Sequence, residues 1–281
     1  MLIGPFLLVV SSALLHALWN FATKKVSGNI GVIYVGLIFA SIAATPCAII
    51  ALRSYGYGAI DYRFIVATGV IHTFYFLFLS QAYARGNISV VYPIARGCGV
   101  VGTAVVAAVF LREELSLFGI AGILCTFSGI LVIGLYKRRL IGRHTGIPYA
   151  VMVGVTMIFY SLVDKMAMTS ADPFVYILGL FLLTTICLTP YILAIRRREL
   201  IVAWKRYKFY GFIIGLGSAV GYLIILFVFR TSQVSYVVAV RELSVAIGAM
   251  LGIRLLHEPV SRNKILGIIL VVLGLLMIKI A

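Results

Sequence analysis

The stretches LREELSLFGIAGI, residues 111–123, and LHEPVSRNKILGI, residues 256–268, share one register at an offset of 145. In that register Glu113 pairs with Glu258, Ser116 with Ser261 and Gly122 with Gly267, and further on Gly129 pairs with Gly274. Arg96 and Arg241 match at the same offset. Upstream, Asn20 and Lys24 pair with Ser161 and Lys165 at offset 141, and Thr45-Pro46 pairs with Thr189-Pro190 at 144. Small drifts in offset are what loop insertions produce. The chain is an internal duplication, with halves at 1–140 and 141–281.

Working outward from these repeats, ten apolar runs are each long enough to cross the roughly 30 Å hydrocarbon core as a helix. They lie near 4–24, 31–52, 64–84, 87–111, 116–136, 146–166, 173–195, 209–229, 233–256 and 260–280. The ten-residue alternation of a transmembrane barrel is absent. The expected fold is therefore an all-α integral membrane protein with ten transmembrane helices as two inverted five-helix repeats. Inversion follows from the odd number: a five-span half leaves the next half to enter from the opposite side, related by an axis in the membrane plane. Two such halves supply two arrangements of similar energy, open to either side, as alternating access requires.

Composition excludes other classes. Of 281 residues, 63% are hydrophobic and 11% charged, with a mean hydropathy of +1.13, against about 25% charged in soluble domains. The excess of 24 Lys and Arg over 8 Asp and Glu does not indicate a nucleic-acid binder. The bases sit in short clusters between apolar runs, the pattern that membrane orientation produces. The four cysteines, Cys47, Cys98, Cys125 and Cys187, each lie within an apolar run and read as buried small hydrophobes. The N-terminal run has no basic residue before it and no small-residue cleavage pattern, and is expected as a retained span. No G-x-x-x-x-G-K-[ST], H-E-x-x-H or G-x-S-x-G occurs. ATP is thus not expected to drive the protein directly, nor is an enzyme, cofactor or metal site expected.

With the N-terminus outside, 16 basic residues fall in inner connections and 6 in outer ones, Arg96 and Arg241 lying within spans. The charge bias places both termini outside.

The sequence resembles the drug/metabolite transporter superfamily in its EamA-type branch. In both halves a Glu after the fourth span precedes an apolar span with spaced glycines, EELSLFGIAGILCTFSG and EPVSRNKILGIILVVLG. The segments HALWNFATKK, VVYPIARG and SYVVAVRELS add to the resemblance, which covers the whole chain. It implies a central cavity lined by spans 1, 3, 4, 6, 8 and 9, with spans 5 and 10 peripheral. It also implies cytoplasmic termini, opposite to the charge count.

Candidate binding residues come from polar groups inside spans. Arg96 lies roughly 16 and 24 Å along a helix from the flanking Arg85 and Arg112, too deep to snorkel easily, so it must face protein or a wet cavity. Ser89, Tyr92, Arg96, Gly99 and Thr103 form a stripe on one helix face, and Pro93 frees a backbone carbonyl toward the same region. Arg241 and Glu242 lie at the equivalent depth in span 9, near Ser235 and Ser244. Two readings fit. Glu242 forms a structural ion pair with either arginine, or it neutralises one and leaves the other for an anion. Arg96, with no acid beside it in sequence, is expected to be the anchor.

Span 1 offers Ser12, His16, Trp19, Asn20 and Thr23; span 6 offers Tyr160, Ser161 and Asp164; span 3 offers His72, Tyr75, Phe76 and Tyr83. A lone helical histidine such as His16 is more often a hydrogen-bonded core residue than a proton relay, and plain packing explains the aromatic stripe about as well as a substrate-stacking wall does. Gly217 with Gly221, Gly248 with Gly252, and the pairs Gly122/Gly129 and Gly267/Gly274 are expected to permit close helix approach. Glu113 and Glu258 read as cap or loop contacts. The expected function is a secondary transporter for a small polar metabolite bearing an anionic group, in the cell membrane. The alternative is a flippase for a lipid or lipid-linked sugar. The expected partners are that substrate and the bilayer, with no nucleic acid, and the chain is expected as a monomer or weak homodimer.

Overall fold

The computed structural model describes residues 1–26, 29–56, 60–86, 88–135, 146–255 and 260–281. Within them lie twelve helices: α1 (Ile3–Lys25), α2 (Ile30–Tyr55), α3 (Tyr62–Arg85), α4 (Ile88–Phe110), α5 (Leu117–Leu135), α6 (Ile147–Ala167), α7 (Pro173–Ile195), α8 (Arg197–Arg206), α9 (Lys208–Phe229), α10 (Val234–Arg241), α11 (Leu243–Leu255) and α12 (Arg262–Ile280). Ten stretches are long and apolar enough to cross a membrane, with α10 and α11 sharing the ninth. Local sequence starts these helices. Asn29 accepts from the amides of Gly31 and Val32, Asp61 from Arg63, Asp172 from Phe174 and Val175, and Ser261 from Lys264. Each supplies an acceptor to donors that no intrahelical carbonyl reaches.

The packing is that of an inverted duplication. Span 8, α9, packs on α1 and α2, just as its counterpart α3 packs on α6 and α7. The α4–α6 contact is repeated by α10 and α11 on α1, while α2 meets its own counterpart α7 and α5 meets α12. Helices α5 and α12 fix the sense of the duplication. A Cβ on Gly122 would stand 2.8 Å from the Gly274 carbonyl oxygen, and one on Gly129 would stand 2.7 Å from that of Gly267. The converse distances, from Gly267 to Gly129 and from Gly274 to Gly122, are 2.7 and 2.6 Å. Rising numbers on one helix meet falling numbers on the other, so equivalent helices cross antiparallel about a two-fold between them. The prolines obey the same relation. Thr45 donates to Ser41 O and Thr189 to Thr185 O, both at 2.8 Å, one residue before Pro46 and Pro190.

Two elements depart from a plain ten-helix reading. The connection after α7 contains α8, a ten-residue helix. The ninth span breaks at Glu242, where Glu242 N bonds to Ala239 O and Val245 N to Glu242 O, a tightened turn in mid-span. Gly217 and Gly221 do let α1 approach α9, with Trp19 Cβ and Leu15 Cβ 3.2 and 3.4 Å from where their Cβ atoms would lie. Gly248 does not match the packing expectation, because nothing lies within 4 Å of the corresponding point.

Candidate functional site

At the middle of the bundle, Arg96 from α4 meets Glu242 from the α10–α11 break. Arg96 Nε donates to Glu242 Oε2 at 2.9 Å, and Nη2 and Oε1 lie 2.5 Å apart, an ion pair with one well-aligned hydrogen bond. Arg96 is 3% exposed and Glu242 0%, so neither charge reaches lipid headgroups. The guanidinium also lies 5.9 Å from the Tyr92 ring centroid, and its Nη1 is 3.7 Å from Met157 Sδ. Gly99 leaves the room that Met157 fills, since a Cβ there would stand 2.4 Å from its sulfur.

Arg241 occupies the equivalent position in the second repeat with different partners. Its Nη2 lies 3.1 Å from His16 Nδ1, and its guanidinium lies 5.1 Å from the Tyr222 ring centroid. At the upstream offset of 141, His16 is the counterpart of Met157. The two arginines thus sit in equivalent nests, with an imidazole in one and a thioether in the other. Glu242 stands where the first repeat has Gly97, and this makes the centre electrically asymmetric. Among the described residues no carboxylate forms an ion pair with Arg241, which is buried, and its Nε has no hydrogen-bond partner. Arg96, expected from the sequence as the anchor, is thus the arginine that Glu242 neutralises, whereas Arg241 faces no paired carboxylate among the described residues.

His16 is held in one tautomer. Its Nδ1 accepts from Trp19 Nε1 at 3.0 Å and faces Arg241 Nη2, so the ring proton belongs on Nε2. Turning the ring over would place a carbon at both contacts. Among the described residues His16 Nε2 is buried with no hydrogen-bond partner, as is Arg241 Nε.

Beside this lies an aromatic wall. The His72 ring centroid is 4.4 Å from that of Tyr160 and 5.8 Å from that of Tyr222, with Tyr75 5.7 Å from Tyr160. Asp164 accepts from Tyr176 OH at 2.6 Å and from Tyr222 OH. Tyr222 thereby bridges the Asp164 carboxylate, through its hydroxyl, to Arg241, through its ring. His72 Nδ1 is 3.0 Å from Thr68 Oγ1.

Several of the residues expected to line the cavity hydrogen-bond to the scaffold. Ser12 donates to Gly221 O at 2.7 Å, Thr23 to Trp19 O, and Asn20 to His16 O. Ser235 donates to Glu113, whose carboxylate also accepts from the Val234 and Ser235 amides and caps α10. Arg112, at φ 53°, makes the left-handed turn that ends α4 just before Glu113. Glu258 and the side chain of Ser89 lie outside the described residues. Sequence reasoning missed Tyr222, Tyr176 and Thr68. Each is one hydroxyl within an apolar run, and only the fold shows that Tyr222 reaches two charged groups.

Ten membrane-crossing helices in two inverted repeats around a buried charged centre define a duplicated, multi-pass membrane transporter. The chain belongs to the EamA-like transporter family, whose model matches residues 3–135 and again 144–280, and with it to the drug/metabolite transporter superfamily. A solved structure described as "Crystal structure of protein" is similar over 100% of this chain and 98% of its own, with a TM-score of 0.81 and 15% identity. That likeness shows the shared fold. No curated protein matches the chain.

Proposed function

We propose that the protein is a secondary transporter of the cell membrane that moves a small polar metabolite bearing a carboxylate or phosphate by alternating access. The observation that carries this reading is Arg241, a buried cation at mid-span that among the described residues has no carboxylate partner and has an unused Nε–H. A buried charge of this kind is costly unless a ligand or water meets it. A guanidinium with an unused N–H suits an oxyanion better than a cation or a neutral apolar molecule. His72, Tyr75, Tyr160 and Tyr222 offer a wall against which the rest of the ligand would lie. Glu242 keeps Arg96 neutralised, so the anion is directed to one arginine of the two. The two-fold relation between repeats supplies the pair of arrangements that alternating access needs.

The experiment compares exchange of radiolabelled carboxylates and organophosphates into proteoliposomes with scrambling of fluorescent lipids in the same vesicles. The reading expects anion exchange without scrambling. Scrambling without anion exchange would replace it with a flippase.

A further inference from the structure

The connection between the seventh and eighth spans reads RRRELIVAWKRYK over residues 196–208. Glu199, the sole acid there, is bound by Arg196 at 2.8 Å. Arg197, Arg198, Lys205, Arg206 and Lys208 are all exposed. Among the described residues none of these five bases is in an ion pair, and they cluster on and beside α8.

Helix α8 is seated against the bundle. A Cβ on Gly31 would stand 2.7 Å from the Glu199 carbonyl oxygen, and Ala203 is buried with Leu200 against Val32 and Val35. Trp204 stacks on Phe39 of α2 with centroids 6.3 Å apart and an interplanar angle of 9°, and Phe39 meets Phe212 edge to face. Trp204 nevertheless remains 54% exposed, and Ile201 and Val202 are exposed between the bases. An exposed indole stacked on a partly buried phenylalanine at the end of apolar spans suits the level of the membrane–water boundary. A short helix at that level, with bases interleaved among apolar side chains, lies in the headgroup layer.

We infer that α8 is a binding site for anionic phospholipid headgroups. Arg197, Arg198, Lys205, Arg206 and Lys208 receive the phosphates, while Trp204, Ile201 and Val202 enter the upper acyl region. Clusters of four to eight bases on such a helix attract anionic lipid by charge, and each contributes within a Debye length of the surface. The site is distinct from the central arginines. Its buried face shares the apolar cluster of Trp19.

The test is quenching of Trp204 fluorescence by brominated phosphatidylglycerol against brominated phosphatidylcholine in mixed vesicles. Trp19 is buried and Trp204→Phe serves as the control that removes the signal. The expected result is an apparent preference of about five-fold for the anionic lipid, the size of roughly one effective basic contact. It should be lost in 1 M salt and when the five bases are replaced by Gln. Equal quenching by the two lipids at low salt would overturn the inference. So would a preference that persists in 1 M salt, a readout that needs no variant to fold.

Discussion

Arg241 and Glu242 are neighbours in sequence, and that adjacency is what misleads. Successive residues on a helix point about 100° apart, and only residues three or four apart face one another. Glu242 therefore turns away from Arg241 and across the two-fold toward Arg96. The depth and burial of both arginines could be read from the sequence, but their pairing depends on how α4 and α10 cross. The pair carries a stability prediction. Glu242→Ala leaves Arg96 buried and uncompensated and should cost about 3–5 kcal/mol, whereas Arg96→Met with Glu242→Leu should recover most of that loss. Thermal unfolding in detergent compares them, and a double variant no better than Glu242→Ala would deny that the pair acts as a unit. Outside the membrane, hydrogen bonding and charge from Arg63, with a lesser contribution from Ser170, hold the Asp61 pKa below its usual value. A carboxylate depressed in the folded state contributes stability above its unfolded pKa and loses it as pH falls through the folded one. Asp61→Asn should accordingly lower the melting temperature at neutral pH, and the difference should vanish at strongly acidic pH. A difference that does not depend on pH would assign the effect to the helix cap alone.

Among the helices, the spans themselves were readable because about twenty apolar residues have few other uses. The predicted and observed ends agree closely, for instance 173–195 against Pro173–Ile195 and 209–229 against Lys208–Phe229. Helix α8 escaped that reading, because ten residues are too few to span and the flanking bases resemble an ordinary cytosolic connection. The break at Glu242 escaped it as well. Neither Pro nor Gly marks it, and the residue at the turn, Glu242, is the one that reaches Arg96. Glycine spacing alone also does not separate packing glycines from free ones. In α12, a Cβ on Gly274 would stand 2.4 Å from Thr126 Oγ1 and 2.6 Å from Gly122 O, whereas Gly248 in α11 has nothing within 4 Å. Gly274→Ala should therefore destabilise by roughly 1–3 kcal/mol, as overpacking does. Gly248→Ala should be neutral or stabilising by up to about 1 kcal/mol through helix propensity. Equal melting temperatures for the two variants would contradict the α5–α12 contact.

For the molecule as a whole, the duplication was readable from a handful of matched residues, and it carries the architecture. The orientation rests on charge: the segments 137–146 and 196–208 are expected in the cytosol, with both termini outside. A green fluorescent reporter fused after Arg198 should be bright and an alkaline phosphatase fusion there inactive; the reverse would invert the topology. What the sequence did not disclose was which half of the symmetric centre is left charged. That turns on single differences between repeats, Glu242 for Gly97 and His16 for Met157, whose consequences appear only when the halves are packed. The proposed function requires that Arg241 receive an anion. It is tested most directly by thermal shift of the purified protein with a panel of carboxylates, organophosphates and their neutral analogues, run beside Arg241→Lys. At one hundred times its dissociation constant a ligand stabilises by about 2.7 kcal/mol. At least one anionic compound should raise the melting temperature of the unmodified protein, its neutral analogue should not, and Arg241→Lys should fold yet lose most of the shift, because an ammonium cannot reproduce a bidentate guanidinium contact. Stabilisation by neutral or cationic compounds alone, or an undiminished shift in Arg241→Lys, would contradict the account.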